Sequence, residues 1–255
     1  MDEQLYHDFL RVEQSHWWFQ ARREILFDVV ERFLPSGKAF LDVGSGTGLF
    51  LEQLATKYQA FGLDASETAV RMCHERGLGS VILGTIDDAR GAHGSAFDAV
   101  GFFDVIEHLD DDVAALTGAR ELLRPGGVVI VSVPAYMFLW SDHDALNQHR
   151  RRYIAAQLKD VLQRAGFEIE LLTYFNSLLF PIAATHRIAK KIGGASNQSE
   201  FAPLPPSLNT LFRRIFALER GIVRRCGPRG MPFGLSILAV GRRPSLGVAA
   251  EPDGG

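Results

Sequence analysis

The chain has 255 residues, of which 47% are hydrophobic and 22% charged, an ordinary globular composition that is long enough for one α/β domain with additions. No apolar run approaches the roughly eighteen residues of a membrane-spanning helix, and the acidic, polar start of the chain is unlike a secretory signal. The two cysteines are far apart and fit no metal-ligand spacing, so we expect reduced thiols in a cytoplasmic protein.

The net charge of −3 is unevenly distributed along the chain. Residues 1–185 carry 16 basic and 26 acidic side chains, whereas residues 186–243 carry 11 basic and 2 acidic ones. Such asymmetry indicates either a surface for an anionic partner or a solvated basic face. We expect no nucleic-acid partner, and we consider an anionic membrane and a second copy of the chain as partners of the basic part.

Residues 5–34 are predicted to be helical, because apolar side chains recur along two stripes. Between the stripes stand three consecutive aromatic residues, Trp17, Trp18 and Phe19, next to basic side chains. Two interpretations compete for them. They either close over a bound adenosine or apolar substrate, which makes Trp17 and Trp18 candidate substrate-binding residues, or fasten the N-terminal helix to the edge of the sheet.

The next segment predicts a strand, a glycine turn and a helix. An apolar run that starts at Ala39 leads into Asp42-Val43-Gly44-Ser45-Gly46-Thr47-Gly48, and apolar residues with helical spacing follow. Glycines let the backbone turn sharply and approach a ligand closely, and the first turn of the helix offers free N–H groups. The turn is therefore a candidate nucleotide-binding loop.

An acidic residue, Asp64, ends the predicted strand 59–64, where a carboxylate can hold both hydroxyls of a ribose. A dinucleotide and S-adenosylmethionine are both candidate ligands. The third glycine comes one residue earlier than in the dinucleotide fingerprint. Asp42, two residues before Gly44, would repel a pyrophosphate and attract a cationic ligand. The pattern therefore favours S-adenosylmethionine.

Strands and helices alternate through the rest of the core, which predicts a largely parallel sheet with helices on both faces. The predicted helices are residues 66–76, 112–123 and 154–165, and the predicted strands are residues 80–84, 97–103, 128–133 and 167–172. We expect a loop from Arg90 to Ala96, because this segment is rich in glycine and alanine.

Two loops that follow predicted strands are rich in polar side chains. One begins at Asp104, after strand 97–103, and the other runs from Pro134 to Tyr153, after strand 128–133. A loop dense in histidine, arginine and carboxylate packs poorly and is typical of a substrate-binding segment. The candidate substrate-binding residues of these two loops are His108, Trp140, Arg151 and Tyr153.

Several motifs resemble those of one family. Leu41-Asp42-Val43-Gly44-Ser45-Gly46-Thr47-Gly48 resembles the first motif of the class I S-adenosylmethionine-dependent methyltransferases, of the type 11/12-like group. Asp104-Val105-Ile106-Glu107-His108-Leu109-Asp110-Asp111 resembles a stretch of the ubiquinone-type O-methyltransferases. The segment from His149 to Tyr153 resembles a turn of methyltransferases associated with surface polysaccharides and lipid modification.

The resemblance covers about residues 37–173. It implies a Rossmann-like sheet of seven strands with S-adenosylmethionine as the cofactor, adenine beside the end of the third strand and the reaction centre beside the end of the fourth. Many family members have an aspartate where Thr85 stands, so the adenine contact through this side chain stays open. The predicted cofactor-binding residues are Asp42, Gly44, Ser45, Gly46, Gly48, Asp64, Ala65, Thr85, Ile86, Asp104 and Val105.

Methyl transfer to a hydroxyl oxygen needs a group that takes the acceptor's proton, and histidine has a suitable pKa. His149 is the first candidate for this base and His143 the second, since both lie in the loop after the fifth strand. Asp142 or Asp144 is close enough in sequence to orient either ring. His108, the substrate-binding candidate, is alternatively a helix cap. No group of residues has zinc-ligand spacing, and a magnesium site of the catechol type stays open without support from the sequence. We therefore predict no metal site.

The last core strand, predicted at residues 235–241, is separated from the sixth strand by an insertion that the family's plain fold lacks. The insertion carries two apolar stretches that also contain arginine and lysine. This pattern predicts helices that lie on an anionic membrane, or helices that pack on the core or form a dimer. We divide the chain into an N-terminal helical cap (1–36), the cofactor-binding core (37–173), the basic helical insertion (174–234), the last core strand (235–243) and a flexible tail (244–255).

The sequence as a whole predicts an S-adenosylmethionine-dependent methyltransferase that acts on a small-molecule or lipid-linked acceptor, at a hydroxyl oxygen. We expect it in the cytoplasm or at the inner face of the membrane. Two alternatives stay open, a dinucleotide-dependent oxidoreductase and an S-adenosylmethionine-binding protein without turnover.

Overall fold

Among the residues that the computed structural model describes, 3–193 and 204–245, seven strands form one sheet. The strands are β1 (Ala39–Val43), β2 (Gln59–Asp64), β3 (Val81–Leu83), β4 (Phe97–Phe103), β5 (Leu123–Pro134), β6 (Glu168–Phe175) and β7 (Ser236–Arg242). Their order is β3-β2-β1-β4-β5-β7-β6. The strands from β3 to β5 pair in parallel, and β7 is antiparallel to both of its neighbours. The predicted Rossmann-like sheet of seven strands is confirmed.

Helices cover both faces of this sheet. They are α1 (Glu3–Val12), α2 (Trp17–Phe33), α3 (Leu49–Ala55), α4 (Glu67–Glu75), α5 (Ile86–His93), α6 (Asp112–Leu122), α7 (Asp142–Leu146), α8 (Ala155–Arg164), α9 (Phe180–Gly193) and α10 (Pro206–Val223). The central strands are buried on both sides, because helices cover both faces of the sheet. Successive residues of a strand point to opposite faces. Leu41 and Val129 accordingly belong to one hydrophobic cluster, whereas Phe40 and Ile130 belong to another.

The N-terminal segment is two helices rather than the single predicted helix. The chain turns between Val12 and Trp17, and His16 caps α2 by accepting a hydrogen bond from the backbone N–H of Trp18. The turn buries Glu13, which reaches Thr47 and Arg76 beside the glycine turn. The periodicity predicted the helices, but a break of a few residues does not interrupt an apolar stripe.

The prediction of a loop from Arg90 to Ala96 is also wrong for residues 90–93, because α5 extends to His93. The helix begins with a capping box, in which Asp88 accepts hydrogen bonds from both the backbone N–H and the hydroxyl of Thr85. This local cap stabilises the first turn. The cap outweighs the glycine at position 91, which suggested a loop.

The second helix of the insertion, α10, packs on α2. Trp17 places its ring edge-on against Phe212 and Phe216, at centroid distances of 5.5 and 6.0 Å. Arg220 binds both carboxylate oxygens of Asp28 at 2.8 Å. None of the helices in the described ranges is long and apolar enough to cross a membrane. Most of the predicted flexible tail, and residues 194–203 of the insertion, lie outside the described residues.

Candidate active site

The predicted site residues meet where the parallel strands end. The glycine turn follows β1, Asp64 ends β2, Asp104 follows β4 and Tyr136 follows the end of β5. Because the carboxyl ends of parallel strands share one edge of a sheet, these residues form a crevice rather than scattered positions. This edge therefore brings together the cofactor-binding candidates and the loops that carry the histidines.

The glycine turn needs its glycines for two different reasons. Gly44 has a φ of +73°, and a Cβ atom there would lie 2.6 Å from Cγ2 of Val105, so both strain and a clash exclude a side chain. Gly46 has a φ of +57°, but nothing lies within 4 Å of the position that its Cβ would take. The turn is thus packed against the fourth-strand loop at Gly44 and open at Gly46.

Asp64 holds this turn in place. Its carboxylate accepts hydrogen bonds from the backbone N–H groups of Gly46 and Ser66, each at 2.9 Å. The side chain is buried, and burial raises the pKa of Asp64 even though these two hydrogen bonds oppose the effect. Each carboxylate oxygen keeps a further lone pair, so the contacts leave room for the ribose hydroxyls that the sequence assigns to Asp64.

A second acid lies buried beneath the turn. Burial, reinforced by the charge of Asp64, raises the pKa of Asp42 to about 8, although Arg22 opposes the shift. Two neighbouring carboxylates with too little compensating charge favour a cationic ligand. Ser45, another cofactor-binding candidate, donates its hydroxyl to the backbone oxygen of Asp42 at 2.9 Å.

Arg22 is a site residue that the sequence did not single out. It extends from α2 to the end of β4, where its guanidinium lies 2.7 Å from Oδ2 of Asp104 and donates to the Ser132 hydroxyl at 3.0 Å. Its Nε atom is buried and has no hydrogen-bond partner among the described residues, and Trp18 lies under the guanidinium, with the ring centroid 5.3 Å from Cζ. The position next to the aromatic run was the only available signal.

The cofactor-binding candidates near β3 have local roles. Thr85 is exposed and caps α5, whereas Ile86 is partly buried against the core. Ala65 is exposed directly after Asp64, and Val105 packs against Gly44. The cofactor contacts of these residues therefore stay predictions.

The first helix covers the same end of the crevice. Tyr6 packs against Ala69 and Met72, and burial, with the nearby charge of Asp64, raises the pKa of Tyr6 to about 12. Glu13 accepts the Thr47 hydroxyl and pairs with Arg76. The N-terminal cap therefore closes over the glycine turn through α1, not through the tryptophans alone.

A cluster of two histidines and a glutamate lies at the other end. One potential ligand atom each from Glu107, His108 and His149 lies within 4.8 Å of the others, and the two imidazole centroids are 4.7 Å apart. We call these three residues the His–Glu cluster. The ring of His143, the second candidate base, is 6.4 Å from that of His149 and hydrogen-bonds to Asn147 instead.

Asp144 fixes the orientation of His149. The distance from Nδ1 of His149 to Oδ1 of Asp144 is 2.8 Å, and Arg152 binds the same carboxylate through two nitrogens at 2.8 and 2.9 Å. Burial opposes ionisation, but the hydrogen bonds from His149 and Arg152 hold the pKa of Asp144 well below its ordinary value. An ionised carboxylate only accepts hydrogen bonds, so the proton of neutral His149 sits on Nδ1 and Nε2 carries the lone pair.

The surroundings also shift the pKa values of the other two members of the His–Glu cluster. Burial and the neighbouring His149 lower the pKa of His108 to about 4, so this ring is neutral near pH 7. Burial and the charge of Asp104 raise the pKa of Glu107 well above its ordinary value. The side chain of Glu107 is completely buried, and neither carboxylate oxygen has a hydrogen-bond partner among the described residues.

Two predicted substrate-binding residues instead hold the loops together. Tyr153 is buried and donates its hydroxyl to Asp112 at 2.6 Å. Arg151 binds the backbone oxygens of Leu109 and Asp110 at 3.0 and 2.9 Å. Because these hydrogen bonds fasten one loop to the other, we assign Arg151 and Tyr153 a structural role.

The two neighbouring tryptophans have different surroundings. Trp17 packs edge-on against α10, so it fastens the N-terminal helix to the insertion rather than to the edge of the sheet. Trp18 lies under Arg22, whose guanidinium pairs with Asp104. Trp140 is half-buried in the loop after β5, where its backbone N–H bonds to Met137. Its side chain stays a candidate for substrate contact.

Unusual backbone angles occur in the loops of the candidate site. In the described ranges four non-glycine residues have φ near +60°, a conformation that such residues rarely adopt. Three of them, Asp104, Tyr136 and Gln148, belong to these loops, and the fourth, Asn176, follows β6. Asp104 and Tyr136 follow the ends of β4 and β5, and Gln148 precedes His149. Strained backbone of this kind persists where the surroundings enforce it, and it concentrates at functional sites.

Aromatic side chains lie beside this region at the surface. Tyr136 contacts Phe138 and Phe180 at centroid distances of 5.2 and 5.9 Å, and Phe180 contacts Phe233 at 5.6 Å. We call these four residues the aromatic patch. Phe138 is 54% exposed and Phe233 46%, and the neighbouring Met137 is 53% exposed. A group of exposed apolar side chains of this size marks a binding surface more often than a lone exposed residue does.

Comparisons with known proteins agree with this geometry. A family model described as a methyltransferase domain matches residues 18–172. A protein of Mycolicibacterium smegmatis described as a probable S-adenosylmethionine-dependent methyltransferase is 31% identical over 166 residues, 62% of this chain and 62% of that protein. A ubiquinone biosynthesis O-methyltransferase of Cereibacter sphaeroides is 37% identical over 101 residues, 38% of this chain and 41% of that protein. The matches thus span about three-fifths or less of these relatives.

Solved structures share the fold at lower identity. A Thermotoga maritima protein, described as a S-adenosylmethionine-dependent methyltransferase, superposes with a TM-score of 0.59 at 21% identity, covering 94% of this chain and 95% of that one. The [4+2]-cyclase SpnF superposes with a TM-score of 0.56 at 23% identity, covering 89% and 83%. At such identities the likeness shows the fold alone, and the cyclase illustrates that the fold also carries other reactions.

Proposed function

Because the chain belongs to the S-adenosylmethionine-dependent methyltransferase family, whose model matches more than half of its residues, we propose that it transfers a methyl group from S-adenosylmethionine to a hydroxyl oxygen of an amphiphilic acceptor. The observation that carries this proposal is the arrangement of one crevice. The glycine turn and two buried acids lie at one end, and the His–Glu cluster lies at the other.

The residues of the crevice fit this donor. The amino acid end of S-adenosylmethionine carries an ammonium, a carboxylate and a nearby sulfonium. Asp42 is a buried acid with a raised pKa. The ammonium or the sulfonium would stabilise its ionised form. The unpartnered Nε of Arg22 offers the carboxylate a donor. Asp64 would hold the ribose, and Thr85 and Ile86 would flank the adenine.

Methyl transfer from a sulfonium is a direct displacement, so the chain's residues mainly supply proximity and orientation. A hydroxyl acceptor must in addition lose its proton. The His–Glu cluster, with the lone pair on Nε2 of His149, is the group of residues suited to handle that proton. The O-methyltransferase description of the ubiquinone-biosynthesis relatives supports oxygen as the methylated atom.

The aromatic patch supports an acceptor with an apolar portion. Arg152 connects the two regions, because it binds Asp144 and also donates to the backbone oxygen of Ala135, next to Tyr136. A lipid-linked or prenylated acceptor would rest its apolar part on Phe138 and present its hydroxyl to the His–Glu cluster. A small soluble acceptor needs no such surface.

Peripheral contact with an anionic membrane would deliver such an acceptor. Arg213 and Arg220 face α2, where they pair with Glu24, so these two arginines serve packing. The opposite face of α10 carries exposed Leu211, Leu218 and Ile222 together with Arg214 and Arg225. Apolar and basic side chains on one exposed helix face suit the surface of an anionic bilayer.

Radiolabelled S-adenosylmethionine tests the proposal directly. The purified protein is incubated with membrane lipid extract and, separately, with a protein-free aqueous extract, and label is counted in the organic phase. We expect transfer to the lipid extract. Label only in aqueous products contradicts the amphiphilic acceptor. Binding of NAD but not of S-adenosylhomocysteine in isothermal titration would contradict the methyltransferase.

A further inference from the structure

We propose that Glu107, His108 and His149 bind a divalent first-row transition cation, with Mn²⁺ and Zn²⁺ as the ions to test. The binding site itself follows from side-chain geometry, whereas its role in catalysis rests on the proposed methyl transfer. The ligands are a carboxylate and two imidazoles from two loops. His108 and His149 are 41 residues apart in the sequence, so no short motif indicates the site.

The three side chains already converge. Their potential ligand atoms lie within 4.8 Å of one another. Metal–ligand bonds of about 2.0–2.2 Å place neighbouring ligand atoms about 3–4 Å apart. A cation therefore needs only small side-chain rotations to collect all three, without movement of the backbone.

Glu107 supplies the second, independent observation. Its carboxyl group is completely buried, and both oxygens lack a hydrogen-bond partner among the described residues. A buried polar group without a partner is costly, and native proteins rarely leave one unsatisfied. A cation satisfies both oxygens of Glu107 and stabilises the ionised form that burial disfavours.

The surroundings orient His149 as a metal requires. Its Nδ1 is engaged by Asp144 at 2.8 Å. One nitrogen of this ring is thus held by the protein and the other is left as a ligand, which is the common arrangement of metal-binding histidines. Arg150 fixes the loop by donating to the backbone oxygens of Glu107 and His108, both at 2.8 Å.

The donor set indicates the class of ion. Two imidazoles and one carboxylate suit Mn²⁺, Fe²⁺, Co²⁺ or Zn²⁺ better than Mg²⁺ or Ca²⁺, which prefer oxygen ligands. Three protein ligands leave coordination positions open, as catalytic metal sites do. Glu107 is buried and the two histidines are only partly buried, so the cluster can be reached from the side of the histidines.

The chemistry of such an ion matches the reaction. A cation lowers the pKa of a hydroxyl group that binds beside His149, so that the acceptor's O–H bond gives its proton to water. The oxygen lone pair then forms the O–C bond, and the electrons of the broken C–S bond stay on sulfur. His149 acts as a ligand in this scheme, since Nδ1 is committed to Asp144 and only Nε2 remains.

Metal binding is measured on the full-length protein after treatment with EDTA and dialysis. Titration with MnCl₂ and with ZnCl₂, and elemental analysis after equilibrium dialysis, should show one tightly bound equivalent. Glu107→Gln and His149→Asn should each weaken binding by at least about tenfold, as expected for removal of a ligand. His143→Asn is the matched control, because His143 lies in the same loop outside the cluster.

Absence of stoichiometric binding in the wild-type protein overturns the proposal, and so does unchanged binding in both ligand variants. Circular dichroism checks that Glu107→Gln folds. If it does not, the absorption spectrum of bound Co²⁺ provides a second readout, which His149→Asn should alter and His143→Asn should not.

The role of the cation in catalysis is tested separately from the proposed methyltransferase activity. Full methyl transfer by the metal-free protein would exclude the cation and leave His149 as a direct base. Loss of transfer in the metal-free protein, restored by Mn²⁺ or Zn²⁺ while S-adenosylhomocysteine binds throughout, supports the cation. A protein that binds the metal but never S-adenosylhomocysteine contradicts the proposed function and leaves the metal site standing.

Discussion

Nδ1 of His149 lies 2.8 Å from Oδ1 of Asp144, a fully buried carboxylate that Arg152 also grips with two nitrogens. This relationship settles which nitrogen of His149 is free, because an ionised Asp144 can only accept hydrogen bonds. The capping box at the start of α7 adds Ser141 as a third residue that donates to Asp144, through its backbone N–H. His149 is therefore held in one orientation before any ligand arrives.

Replacing His149 with alanine should lower turnover by about a hundredfold or more, because the His–Glu cluster that promotes loss of the acceptor's proton loses a member. The dissociation constant for S-adenosylhomocysteine, measured by isothermal titration, should stay unchanged. His143→Ala is the control and should keep nearly full activity, since its ring bonds to Asn147. Equal loss of donor binding in His149→Ala would indicate a structural role instead.

Asp64→Ala should weaken binding of S-adenosylmethionine by about tenfold to a hundredfold. Loss of charge-assisted hydrogen bonds costs about 1.5–3 kcal/mol, and the glycine turn also loses the acceptor of the Gly46 N–H. Asp160→Ala, which removes an exposed carboxylate from α8, is the control and should bind normally. Unchanged affinity in Asp64→Ala would remove Asp64 from the donor site.

Asp42→Asn should have opposite effects on stability and on binding. The pKa of Asp42 rises from 3.8 in the unfolded chain to about 8 in the fold, so ionisation of Asp42 destabilises the ligand-free protein increasingly between about pH 4 and pH 8. The neutral variant should therefore melt at a higher temperature than the wild type at pH 8, with little difference at pH 4. It should also bind S-adenosylmethionine more weakly. Equal melting temperatures at pH 8 would show that Asp42 carries no such penalty.

Sequence patterns predicted the core of this fold because its signals are local. The glycine turn, the strands up to β5 and the helix that starts near Ser66 each depend on a few consecutive residues. The break before His16 was not visible, since the apolar stripes continue on both sides of it. The pairing of Arg220 with Asp28 was equally hidden, because it joins residues 192 positions apart.

The candidate site likewise contains residues that a local motif predicts and residues that only the folded loops bring together. Asp42 and Gly44 belong to one contiguous motif, Asp64 ends the next predicted strand, and the structure places Asp64 beside both the glycine turn and Asp42. The His–Glu cluster depends on how two loops fold against each other, which no spacing rule encodes. Arg151 and Tyr153 looked like ligand contacts because they are polar, but polar side chains also serve to join loops.

Arg220→Ala should lower the free energy of unfolding by about 1–2 kcal/mol, because it leaves the buried carboxylate of Asp28 without its bidentate partner. Partial exposure of Arg220 keeps the effect at that modest size. Arg224→Ala removes an exposed arginine just after α10 and should change stability by less than about 0.5 kcal/mol. Chemical denaturation measures both. Equal effects of the two variants would contradict the packing of α10 on α2.

Co-sedimentation with vesicles tests the outward face of α10. Leu218 is 69% exposed, Leu211 and Ile222 lie on the same face, and Arg214 and Arg225 flank them. Each basic residue near an anionic surface contributes about 1 kcal/mol, and buried leucine side chains add to it. The protein should therefore sediment with phosphatidylglycerol-containing vesicles but not with pure phosphatidylcholine, and high salt should release it. Arg214→Glu/Arg225→Glu and Leu218→Ser should each reduce binding.

Arg164→Glu, on the exposed surface of α8, is the control for these variants and should sediment like the wild type. Protein that stays in the supernatant under all conditions would contradict the membrane contact. If its mass in light scattering doubles with concentration and Leu218→Ser prevents the doubling, the same face binds a second copy of the chain instead. Arg213 is left unchanged in this series, because its pairing with Glu24 at 2.6 Å would confuse loss of membrane binding with loss of packing.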